Sequence, residues 1–86
     1  MLRITEVRRK SDSGLKLEGK LTGPWVEETK QCWLGAKASN KDGAVKLNVE
    51  GLTYVDERGK DLLLQMQREG ASFEGASEYL RSLLGH

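Results

Sequence analysis

Chemistry in this chain is concentrated in Val55-Asp56-Glu57-Arg58-Gly59-Lys60-Asp61-Leu62-Leu63, where three carboxylates meet the start of a helix-like run. Clustered acids can hold a divalent cation or divide general acid and general base work between them. Either use needs further ligands or a partner acid, and no second acidic cluster is visible in the sequence to complete such a site. Folding accounts for the acids more simply. Asp56 is placed to accept the orphan N–H groups of a first helical turn, Glu57 and Asp61 favour its dipole, and Arg58 and Lys60 neutralise them.

Other reactive types are scarce. A nucleophile needs a base within hydrogen-bond reach, yet His86 is the only histidine and the last residue, and Cys32 is the only cysteine. Cys32 lies between Gln31 and Trp33 on an amphipathic stretch and reads as a small core residue. Trp25 and Trp33 lie on the same helix face and read as core anchors, since no basic groove accompanies them as a base-stacking platform requires. Neither G-x-G-x-x-G nor G-x-x-x-x-G-K-[ST] occurs. The sequence therefore predicts a non-catalytic protein with no catalytic residues, no metal site and no cofactor.

Composition sets further bounds. With 86 residues, 31% charged and a net charge of +1, the chain is expected to form one domain over 1–86. Acids and bases interleave, so no field favours nucleic acid or an anionic membrane. Arg8-Arg9-Lys10 is too short a run to change this and reads as a strand end or hairpin. One cysteine allows no internal disulfide, and neither a leader nor a membrane-length apolar run is present. These features predict a cytoplasmic protein that does not insert into the membrane.

The elements that must position the acidic turn follow from periodicity. Residues 2–9 read as a strand, Ser11-Asp12-Ser13-Gly14 as a turn, and 15–21 as a second strand with Leu15, Leu17 and Leu21 on one face. Pro24 opens a helix whose buried stripe is Trp25, Thr29, Cys32 and Trp33. Residues 36–43 read as a polar loop and 44–49 as a third strand, with Gly51 to Val55 leading into the junction. A second helix over 57–69 turns Gly59, Leu62, Leu63 and Met66 inward and stops at Gly70. A strand over 71–74 and a helix over 78–84, capped by Ser77, complete the order ββαβαβα.

That order predicts an α/β fold: a two-layer domain on a four-stranded mixed sheet, with an antiparallel hairpin, then parallel strands joined by right-handed crossovers, and helices mainly on one face. Lys16, Glu18, Lys20, Lys46 and Asn48 would occupy the open face. On the second helix, residues turn by about 100° each. The face opposite the inward stripe therefore carries Glu57, Lys60, Asp61, Leu64 and Arg68, with Arg58 on its flank. An apolar centre ringed by charges has the anatomy of a small interface.

Leu47-Asn48-Val49-Glu50-Gly51-Leu52-Thr53-Tyr54-Val55-Asp56-Glu57-Arg58-Gly59 resembles the central motif of STAS domains, the sulfate-transporter and anti-sigma-factor-antagonist family. Leu17-Glu18-Gly19-Lys20-Leu21-Thr22 resembles the family's second strand, and the Gly-Pro-Trp-Val-Glu-Glu helix start is similar to that of small free-standing bacterial members. The resemblance implies the same fold and a role as an interaction module. In the anti-sigma-antagonist branch a hydroxyl of an Asp-Ser-Ser/Thr-Gly turn is phosphorylated by a partner kinase, which releases the complex. Thr53, Asp56 and Gly59 match motif positions, whereas Arg58 stands at the acceptor and Glu57 at the serine before it. Arginine has no hydroxyl, so the switch is expected to be absent here.

The expectation is a regulatory module that docks a protein partner, such as an anti-sigma-like regulator, through Glu57, Arg58, Lys60, Asp61, Leu64 and Arg68. Two alternatives stay open. One is a soluble STAS-like subunit of a membrane ABC-type transport assembly. The other is a small-ligand or nucleotide-binding module at the junction. Ser11, Ser13, Ser72 and Ser77 read as loop or cap residues, none singled out for phosphorylation, and the oligomeric state is open.

Overall fold

The computed structural model describes residues 1–8, 13–40 and 43–85. Arg9 and Lys10 of the basic run, Ser11 and Asp12 of the first turn, and His86 lie outside the described residues. The elements are β1 (Leu2–Arg8), β2 (Ser13–Leu21), α1 (Pro24–Ser39), β3 (Lys46–Val55), α2 (Glu57–Arg68), β4 (Ser72–Glu74) and α3 (Glu78–Leu83). They follow the ββαβαβα order expected from the sequence.

The sheet is four-stranded in the order β1-β2-β3-β4. β1 and β2 form an antiparallel hairpin, and β2, β3 and β4 run parallel. Both crossovers step the same way, so right-handed connections bring α1 and α2 to one side. Leu15, Leu17, Leu21, Leu47, Val49, Leu52 and Val55 of the sheet join Trp33, Ala36, Leu62, Leu63, Met66 and Leu80 of the helices in one buried cluster. Lys16, Lys20 and Lys46 on the opposite face are exposed, while Glu18 and Asn48 are half-buried between ladder neighbours. The fold class is as the sequence predicts.

Three boundaries differ from the expectation, each for a physical reason. β3 does not stop at Val49 but continues to Val55. Its pairing with β2 slips twice, between Lys16 and Glu18 and again between Gly19 and Lys20, and each slip adds one residue to β3. A bulge of this kind shifts side-chain phase by one. The two slips return Leu52 and Val55 to the core although their spacing breaks alternation. Asn48 steadies the first slip, its Oδ1 accepting the Glu50 N–H at 3.0 Å.

α1 runs to Ser39, so residues 36–39 are helix and not loop. Its buried stripe centres on Thr29, Trp33 and Ala36, with Trp25 and Cys32 half-buried at the margin. Of the two tryptophans, Trp33 alone is a buried anchor. The extra helical turn carries Lys37 over the Trp33 ring, 5.3 Å from its centre, and into an ion pair with Glu69, which follows the last residue of α2. Ser13, finally, is not an exposed turn residue: it begins β2 and is buried, and Ser72 lies in β4.

Candidate functional site

Parallel strands with crossover helices bring every strand-to-helix junction to the same end of the sheet. Here the starts of α1 and α2 meet there, and Asp56 joins them. Its Oδ1 accepts the Gly59 N–H at 2.8 Å, as the cap of α2, and its Oδ2 accepts the Gly23 N–H at 3.0 Å, before α1. The backbone N–H of Asp56 donates to Leu21 O at 3.2 Å, which fastens the turn to the end of β2. These donors stabilise the anion, so the carboxyl is held below the usual carboxylate range, chiefly by Gly23 and then by Gly59.

A pH dependence follows. A depressed folded pKa stabilises the protein fully above the unfolded value of about 3.9. The contribution fades as pH falls and is lost below the folded pKa. Thermal melts of the wild type and Asp56→Asn should therefore differ by a constant gap near neutrality that narrows and closes on acidification. Other carboxylates titrate in both proteins and cancel. A gap independent of pH would remove the charged bridge from the account.

Gly59 has the close-packing place expected of it. A Cβ there would lie 2.6 Å from Leu21 O and 2.8 Å from a Val55 methyl. The absent side chain lets α2 rest directly on the ends of β2 and β3. Thr53 supports the same end of the sheet, its hydroxyl donating to Gly19 O at 3.0 Å beside the second slip in β3.

On the outer side of α2, Glu57, Arg58, Asp61 and Arg68 are exposed and Lys60 is half-buried. Among the described residues none of these five side chains forms an ion pair or a side-chain hydrogen bond. Arg58 and Lys60 thus do not neutralise the neighbouring acids by direct pairing, and the face presents separate charges of both signs. Leu64 is half-buried and packs against the core, so it forms a partly covered apolar spot within the charged face and not a free-standing knob.

Two tyrosines lie at this end: Tyr54, which the sequence points to only within the motif, and Tyr79, which it does not single out. Tyr54, 50% exposed, projects from β3 opposite Lys20 of β2. An aromatic in the strand two residues before Asp56 is a signal that could have been used. The Tyr79 hydroxyl reaches back from α3 to Val55, donating to its O and accepting from its N–H, both at 3.2 Å. It serves the edge of β3 beyond the short β4, a pairing over a separation of 24 residues that no local pattern reveals.

Cys32 is half-buried, and desolvation, followed by the charges of Glu28 and Glu6, pushes its thiol up and keeps it protonated. Among the described residues no three His, Cys, Asp or Glu side chains gather as a metal site would require. Among the described residues no helix is long and apolar enough to cross a membrane.

No family model matches the sequence, and no curated protein does. Solved structures do match the fold. The chain is similar to the anti-sigma factor antagonist SpoIIAA in its unphosphorylated form, with a TM-score of 0.74 and 19% identity over 99% of this chain and 82% of that one. It is also similar to an antisigma-factor antagonist STAS domain from Rhodobacter sphaeroides, with a TM-score of 0.60 and 22% identity over 93% of this chain and 96% of the other. A match to Mglu has a TM-score of 0.60 and 22% identity, over 88% of this chain but 20% of that protein. The chain has the STAS-domain fold.

Proposed function

We propose that this chain is a non-catalytic regulatory STAS-type domain that docks a cytoplasmic protein partner through the start and outer face of α2. Glu57, Arg58, Lys60, Asp61 and Arg68 supply the polar contacts and Leu64 the apolar one. The observation that carries the reading is the uncommitted charge on that face: five ionisable side chains with no described ion pair, around a half-buried leucine. The fold shared with anti-sigma factor antagonists supports a binding role for this kind of domain. At this turn the partner is held without a phosphorylation switch, because Glu57 and Arg58 offer no hydroxyl.

Arg58→Glu tests the surface. The residue is exposed and forms no ion pair among the described residues, so thermal stability should move by less than about 0.5 kcal/mol. Affinity for a partner captured by crosslinking, then purified and titrated, should fall by about tenfold or more. Leu64→Ala is a poorer probe because its packing against the core adds a stability cost. If Arg58→Glu and Arg68→Glu both leave the affinity unchanged, the surface is misplaced. The captured partner's class, a sigma-factor regulator or the nucleotide-binding subunit of a transport assembly, decides the branch.

A further inference from the structure

A groove of about 680 Å3 opens between the end of α2, β4 and α3. It owes its existence to short elements and small side chains. β4 has three residues and α3 six, too few to roof the last strand. Phe73 pairs in register with Leu47, a core residue, and so stands on the helix-bearing side of the sheet, half-buried at the groove. Leu84 extends the apolar lining, while the small side chains of Ala71 and Ala76 leave space that larger ones would fill.

Charge in the groove is one-sided. Among the described residues Arg81 is the only charged one in the lining, and its guanidinium makes no ion pair or side-chain hydrogen bond. No described acid lines the space. An arginine fork matches a carboxylate through two parallel hydrogen bonds. A single cation balances a monoanion, whereas a phosphate ester would bring nearly twice that charge. The volume lies within the range of small-molecule sites, roughly 300–1,000 Å3.

We propose that this groove binds a small organic carboxylate with an apolar body, the size of a medium-chain fatty acid, its carboxylate on Arg81 and its chain against Phe73 and Leu84. The groove meets the C-terminal end of α2 at Gln67, next to Arg68 of the face assigned to a protein partner, but neither assignment depends on the other. An open site and a ligand of about ten heavy atoms imply a dissociation constant on the order of a millimolar.

The test is a ¹⁵N-resolved NMR titration of the whole chain with octanoate, 1-octanol and octylamine in parallel. Octanoate should give saturable shifts at Phe73, Ala76, Arg81 and Leu84. Octylamine should give none there, and octanol should bind more weakly than octanoate. Arg81→Gln, an exposed change, should weaken octanoate about fivefold, and Ala76→Leu should weaken it by occupying the space. The proposal is overturned if octanoate produces no saturable shift in the groove, if octylamine binds there equally well, or if Arg81→Gln leaves the constant unchanged. Tighter binding of a peptide ending in a free leucine carboxylate would also overturn it, by assigning the groove to a protein terminus.

Discussion

Gly59→Ala should lower stability by about 2 kcal/mol, while Gly35→Ala should raise it by about 0.5–1 kcal/mol. Both glycines lie in helices, Gly35 in the interior of α1 and Gly59 in the first turn of α2, so the change brings a gain in helix propensity to each, the larger one at Gly35. What differs most is the space. At Gly35 a Cβ meets nothing within 4 Å, and the residue is exposed. At Gly59 it would lie 2.6 Å from a backbone oxygen of β2, 2.8 Å from a Val55 methyl and 3.0 Å from Leu21 Cγ. A backbone oxygen cannot rotate away, so α2 must lift or tilt. Overpacking of that kind costs about 1–3 kcal/mol, and a shift at the upper end remains net destabilising after the propensity gain. For a chain this size the loss corresponds to a fall in Tm of about 10 °C. Equal Tm changes in the two variants would mean that α2 does not rest on the strand ends. The same lift would move Asp56 away from Gly23, so Gly59→Ala should also flatten the acid dependence.

The acidic turn was readable in advance because its determinants are local. Asp56 is three residues from Gly59, and the cap, the inward leucines and the stop at Gly70 all lie within one helix length. Parallel topology was readable too, since a strand, a helix and a second strand admit few connections. Other features depend on partners distant in sequence. The second bond of Asp56 reaches Gly23, 33 residues away. The extent of β3 depends on two slips against β2, and broken alternation looks from sequence like a strand that has ended. Leu64 shows the limit of a helical wheel. Its angle places it within the outer face, yet its side chain is half-buried and packs against the core. Residues 36–39 add only Ala36 to the buried stripe, and Lys37 of that turn is paired with Glu69, 32 residues away, which no local pattern reveals.

Asn40 is the strongest instance of a determinant without a local signature, and Asn40→Ala should cost about 3 kcal/mol. It follows the last residue of α1 and is 7% exposed. Its Oδ1 accepts from the Ser13 N–H at 2.8 Å and from the Ser13 hydroxyl at 3.2 Å, and its Nδ2 donates to Ser13 O at 3.0 Å and to Ala44 O. The carboxamide thus meets the backbone of Ser13 as a neighbouring strand would, with one donor and one acceptor, and ties the end of α1 to the start of β2 and the approach to β3. Removing it leaves the N–H and C=O of a residue only 8% exposed without these partners. A buried polar group stripped of its partner costs about 1–3 kcal/mol, more than the bond itself contributes. Asn40→Asp separates the two halves of the clamp, since a carboxylate still accepts from Ser13 but cannot donate to either carbonyl. It should therefore destabilise as well, and less so at a pH low enough to protonate it. Chemical denaturation of the three proteins measures this directly. If Asn40→Ala stays within about 0.5 kcal/mol of the wild type, α1 and β2 are joined by apolar packing alone and the clamp is incidental.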